Sequence, residues 1–121
     1  MRIEDHLAKA HSIERSLARC TAADYETVIE AAMLAGTHWF NILLHQTNLM
    51  PSDRDAMHAE FLAPADRHNV RATVPDALRA LEEIERLRTP YVRGDMPGGE
   101  QAAAHALECL CRLRDSALAN R

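Results

Sequence analysis

At 121 residues and 47% apolar content, the chain is one domain, long enough to bury a core without disulfide or metal support. Its formal charge of −4 argues against a general polyanion-binding protein, because such proteins offset phosphate repulsion with a basic surface. No apolar signal region follows Arg2, and no stretch approaches roughly 18 uninterrupted apolar residues. With three cysteines (Cys20, Cys109 and Cys111) lacking any Cys-x-x-Cys spacing, the chain reads as a cytoplasmic protein with reduced thiols and no membrane partner.

Ile3, Leu7, Ala10, Ile13 and Leu17 recur at spacings of three and four, which predicts a first helix from about Ile3 to Arg19. Thr21, with Asp24 three residues on, marks the start of a second helix after a short break, so the two are expected to be antiparallel neighbours. In that second helix, from Asp24 to Asn48, Tyr25, Ala32, Gly36, Trp39 and Leu43 define the middle of a broad apolar arc, flanked by Val28, Ile29, Met33, Phe40 and Ile42. An arc this wide fits a helix packed between several neighbours, and Leu34 projects from its polar side. Ser52 or Asp53 is expected to cap a brief third helix through Leu62, closed by Pro64, with loop from Ala63 to Thr73. Thr73 and Pro75 predict the next helix start, and Leu78, Leu81, Ile84 and Leu87 share one of its faces. Pro90 and the run Gly94 to Gly99 should end it. Ala103, Ala106, Leu107, Leu110, Leu113 and Ala117 then define a last helix. The expected fold is all-α, an antiparallel up-down four-helix bundle with one additional short helix in the central connection, in a single domain over residues 1–121.

Seven histidines raise the question of a metal. His38 and His45, seven apart on the second helix, could supply two ligands, whereas zinc sites take about three groups from protein even when catalytic. His105 shares a polar face with Gln101, Glu108 and Arg112 and reads as a solvated side chain. No cofactor is expected on these grounds. Polar residues on apolar faces are a second signal, because a buried charge must be paired or hydrogen-bonded. His6 and Glu14 on the first helix, Arg88 on the fourth and Arg114 amid the leucines of the last are such residues, and Arg88, Arg114 and Glu14 are candidates for a polar pocket that receives an anionic or nucleotide-like group. Arg54, His58, Arg67, His68 and Arg71 cluster in the central connection. Of these, Arg67, His68 and Arg71 are candidate phosphate contacts, although no interleaved aromatics offer base stacking, so weak or no nucleic-acid binding is expected.

Tyr25 followed by Ala31-Ala32-Met33-Leu34-Ala35-Gly36-Thr37-His38-Trp39, and Leu87-Arg88-Thr89-Pro90-Tyr91 before the last helix, resemble the second helix and the arginine-aromatic junction of the HEPN-like family of small helical bundles. Ribonucleases of that family carry an arginine, four to six arbitrary residues and a histidine; here Arg2 to His6 and Arg54 to His58 leave three between. The resemblance therefore implies a non-catalytic binding or interaction module, more a partner than an enzyme, with Arg88 the one position carried across. Its implied setting is as partner of a nucleotidyltransferase or as a toxin-antitoxin component. Exposed Leu34 and the wide apolar arc add the expectation of a homodimer. The opposing reading is an enzyme, either a divergent ribonuclease using Arg67, His68 and Arg88 or a metal-dependent hydrolase using His38 and His45.

Overall fold

Each helix start and stop has a local cause. In the computed structural model, which describes residues 1–120, Glu4 and Asp5 open helix α1 (Ile3–Leu17), where negative charge complements the positive end of the helix dipole. At Thr21 the backbone amide donates to the Asp24 carboxylate at 2.8 Å, and one 3-10 turn, Ala22–Asp24, leads into α2 (Tyr25–Gln46). Asn48, at φ 59°, takes the left-handed conformation that ends α2, and the amides of Leu49 and Met50 return to the Leu44 carbonyl.

The central connection differs from the sequence expectation. Residues 51–58 are irregular, Ala59–Phe61 form one 3-10 turn, and the short helix is α3 (Pro64–Thr73), downstream of where capping residues placed it. Pro64 opens this helix instead of closing one, since at the first helical position its missing amide costs nothing and its fixed φ is already helical. Thr73 therefore ends α3 and does not cap α4 (Pro75–Leu87), which begins on Pro75 directly after Val74. Pro90 does not stop the chain from coiling either: residues 88–93 continue as a π-helical turn, with the Gly94 amide reaching the Thr89 carbonyl at 2.9 Å. Widening the turn accommodates a ring that a tight α-turn would exclude. Gly98, at φ 98°, then turns the backbone into α5 (Gly99–Ala119).

The result is the expected all-α bundle, with α1, α2, α4 and α5 as its long members, α3 in the connection and no strand among the described residues. α2 is its axis, packed against α5, α1 and α4. Trp39, Phe40, Ile42, Leu43 and Leu44 are all but fully buried, and Leu34 is 49% exposed, as the apolar arc requires. α2 is long and apolar enough to cross a membrane by length and composition alone, but 67% of its most apolar window is buried inside the bundle. Leu107 departs from expectation at 39% exposed; Ala102 and Cys109 fill the buried face of α5 in its place.

Gly36 lies where α2 packs tightly on α4 and α5: a Cβ there would stand 3.0 Å from Leu113 Cδ1 and 3.5 Å from Ile84 Cδ1. Replacement by leucine must therefore push these side chains apart, at a typical cost of about 1 to 3 kcal/mol. Denaturant midpoints are expected to fall clearly for Gly36→Leu and hardly for Leu34→Ala; the reverse order would contradict the packing described.

Candidate metal centre

Three elements meet at the C-terminal end of α2. His6 comes from the buried face of α1, with 2% of its surface exposed. His38, Asn41 and His45 leave α2 at spacings of three and four, so they share a face. Asp55 comes from the irregular segment after α2, and Asn41 brings it there. The Asn41 side chain accepts the Ala56 amide at 2.7 Å and donates to the Ala56 carbonyl at 2.8 Å, as a paired strand would, with a further bond to the Thr37 carbonyl at 2.9 Å.

Asp55 is thereby set between two imidazoles. His6 Nε2 lies 3.0 Å and His45 Nε2 2.9 Å from the same oxygen, Asp55 Oδ1, while Oδ2 accepts from the Met1 ammonium at 3.0 Å. The other ring nitrogens are also anchored. His45 Nδ1 is 3.2 Å from the Met50 carbonyl, which can only accept, so this nitrogen carries a proton. In a neutral His45 ring the lone pair at Nε2 would then face a carboxylate oxygen. A proton or a cation must stand between them. His6 Nδ1 and His38 Nδ1 share a single proton across 2.9 Å.

His6, His45 and Asp55 thus present three donor atoms within 4.8 Å of one another. Tetrahedral zinc with nitrogen and oxygen ligands holds its donors roughly 3.4 Å apart, so opening the two observed separations by about 0.4 Å admits an ion. Anchoring of each ligand histidine through its second nitrogen is the usual arrangement in metal sites. The centre faces a cavity of about 390 Å³, within the range of small-molecule sites, whose wall includes Met33, Leu34, Thr37, His38 and Met57. The Glu30–Arg88 pair, with Arg88 Nε donating at 2.8 Å, closes another side.

A second convergence lies between α4 and α5. Glu83, His105 and Cys109 also bring their donor atoms within 4.8 Å of one another. Burial, then the hydrogen bond to Glu83 and its charge, push the Cys109 thiol up to about 12, and it donates to Glu83 Oε2 at 3.3 Å.

These two sets of donors overturn the expectation of a non-catalytic interaction module and the preference against an enzyme. The histidine pair also changes: His45 converges with His6, not His38, which stands behind His6. His105 is more than a solvated side chain, being 3.4 Å from Glu83 Oε2. Of the other candidates, Arg114, Arg67 and Arg88 are held by carboxylates. Arg114 donates to Glu14 at 2.8 Å, and Glu14 also accepts from the buried Trp39 indole at 3.1 Å. Arg67 binds Glu82 at 2.9 Å and the Ala59 carbonyl, while His68 and Arg71 are exposed on α3. Only Arg88 among them reaches the cavity wall. Nothing in the sequence singles out Asp55 or Glu83, and Cys109 reads there only as a reduced thiol; the one available signal is the i, i+4 spacing of His105 and Cys109.

Burial would raise Asp55, but its hydrogen bonds to His6, His45 and the N-terminus outweigh that and take it from the usual 3.8 to about 2. Burial lowers His6 against the pull of Asp55, and lowers His38 together with the charges of His6 and Lys9. In all three cases the unfolded chain binds protons more readily than the folded one. Metal-free stability is therefore present above the ordinary histidine value of 6.5, falls as pH drops below it, and falls again from 3.8 towards about 2, where the contribution of Asp55, on the order of 2 kcal/mol at higher pH, is lost. Denaturant midpoints measured in chelator are expected to decline towards acid through both windows, and a midpoint that rises would contradict these protonation states. Comparison with family models, with curated proteins and with solved structures gives no match to this chain, so its function has to be read from these side chains.

Proposed function

We propose that the chain is a metal-dependent hydrolase of small molecules, with a divalent ion held by His6 Nε2, His45 Nε2 and Asp55. The carrying observation is that two imidazole nitrogens and a carboxylate oxygen converge at 2.9–3.0 Å beside an open cavity, with the distal nitrogen of each ring already anchored. Two nitrogens and one oxygen suit zinc, iron, manganese or cobalt, and three protein ligands leave a position free on the cavity side. Bound there, such an ion supplies Lewis-acid polarisation of a scissile carbonyl or phosphoryl oxygen and makes a water acidic enough to attack it.

The chain's own residues do the rest. Met50 holds the His45 tautomer through its carbonyl, and His38 accepts the His6 Nδ1 proton, so both Nε2 lone pairs face the ion. Neutral His38 then carries its own proton on Nε2, a donor available to a substrate oxygen in the cavity it lines. Met33, Leu34 and Met57 offer apolar surface to the body of the substrate, and the Glu30–Arg88 pair meets a polar end. The ribonuclease alternative has no comparable support, because Arg67 is tied to Glu82 and His68 is exposed away from Arg88's cavity.

Elemental analysis of protein purified without chelator is expected to show about one equivalent of metal per chain fewer in His45→Ala than in the parent protein. His38→Ala should weaken that binding by about 10- to 100-fold without abolishing it, as expected of a residue that orients a ligand without itself binding the ion. Hydrolysis of p-nitrophenyl esters and phosphodiesters should be lost with chelator and restored by metal. Unchanged metal content in His45→Ala would refute the site; full loading with no chelator-sensitive hydrolysis would refute the hydrolase assignment.

A further inference from the structure

Glu83 projects from α4, while His105 and Cys109 are one turn apart on α5, so both α5 side chains leave the helix towards the same place. The three edges of this triangle are 3.3 Å from Cys109 Sγ to Glu83 Oε2, 3.6 Å from Cys109 Sγ to His105 Nε2, and 3.4 Å from His105 Nε2 to Glu83 Oε2. Around a tetrahedral ion with metal–sulfur bonds near 2.3 Å and metal–nitrogen or metal–oxygen bonds near 2.1 Å, the sulfur edges come to roughly 3.6 Å and the nitrogen–oxygen edge to roughly 3.4 Å. All three observed edges lie within about 0.3 Å of these values.

Burial fixes the direction from which it enters. Cys109 is fully buried and forms the floor, whereas the His105 and Glu83 side chains are 42% and 30% exposed and form the rim, leaving the fourth position to water. Two charged groups stand around it. Glu108 Oε2, 4.0 Å from His105 Nδ1, favours the tautomer that leaves Nε2 free for the ion. Arg112 Nη1, 4.0 Å from Glu83 Oε2, is the counter-charge that the ion replaces. A carboxylate, a neutral imidazole and a thiolate carry two negative charges, which balance a divalent cation; the Cys109 proton, now shared with Glu83, leaves to solvent on binding.

We propose that Glu83, His105 and Cys109 form a second divalent-metal site, selective for a thiophilic ion such as zinc and tying α4 to α5. It is independent of the hydrolase centre in ligands and in chemistry, because only this site contains sulfur.

Cobalt(II) titration of the full chain tests it, since a thiolate bound to cobalt gives a sulfur-to-metal charge-transfer band in the near ultraviolet that histidine and carboxylate ligands do not. The band is expected to saturate, to be absent in Cys109→Ser, and to need at least about tenfold more cobalt in Glu83→Gln, a partly exposed position whose amide preserves size. Circular dichroism confirms that each variant is folded, and Glu83→Gln keeps the test open if Cys109→Ser is not. The band should persist in Cys20→Ser/Cys111→Ser, which excludes the other thiols, and in His45→Ala, which removes the hydrolase ion alone. No band in excess cobalt, or a band that survives Cys109→Ser, would overturn the proposal while leaving the hydrolase reading untouched.

Discussion

The Asn41 side chain, paired both ways with the backbone of Ala56, is the constraint on which the N-terminal half of the molecule depends. The segment between α2 and α3 contains no α-helix; buried Met50, Ala56, Ala59 and Leu62 and the Glu85 carboxylate at the Ala59 amide hold it to the bundle, and Asn41 fixes the stretch that carries Asp55. Asn41 is 1% exposed, so each of its bonds is made where water cannot substitute, and losing one partner would leave buried polar groups unsatisfied at about 1 to 3 kcal/mol apiece. The segment so fixed delivers Met50 to His45 Nδ1 and Asp55 to His45 Nε2. Asn41 thus sets the Nε2 end of this imidazole, while the turn that returns the Met50 amide to the Leu44 carbonyl sets the Nδ1 end.

α2 gains its central place from the same combination of small residues and satisfied polar ones. Gly36 and Ala32 let α4 and α5 approach, while the Trp39 indole, buried with its N–H pointed at Glu14, links the core to the Arg114–Glu14 pair between α1 and α5. That arrangement explains why two charged residues on apolar faces carry no vacant recognition surface. The guanidinium and the carboxylate answer one another, and the indole uses the remaining oxygen.

Periodicity made the bundle legible because helical faces are a property of each segment alone. Leu34 and Gly36 could be placed on opposite sides of α2 from spacing, and both are found there. Pro64 and Pro90 were less readable, because proline both starts helices and ends them, and the choice depends on what the following turn can hydrogen-bond to. The site was harder still. His6 stood out as a polar residue on an apolar face, but its partners come from a different helix and from a segment with no period, and nothing in the identity of Asp55 distinguishes it from the chain's other acidic residues. Reasoning along one helix paired His38 with His45 because they are two turns apart; in three dimensions α1 inserts His6 between them, with ring centroids 5.2 Å from His38 and 5.4 Å from His45.

Insertion of His6 has an electrostatic consequence. Three imidazoles and one carboxylate share a small volume at the end of α2, and two of the four, His6 and His45, are nearly closed off from water. If every ring were protonated, like charges would stand a few ångströms apart in a low-dielectric setting; if every ring were neutral, His45 Nε2 would press a lone pair against a carboxylate. The arrangement is at ease only with a positive charge near Asp55 Oδ1. The divalent cation proposed above, between the two Nε2 atoms and Asp55, is such a charge, one that leaves the rings neutral and turns the same geometry from an electrostatic compromise into a coordination sphere.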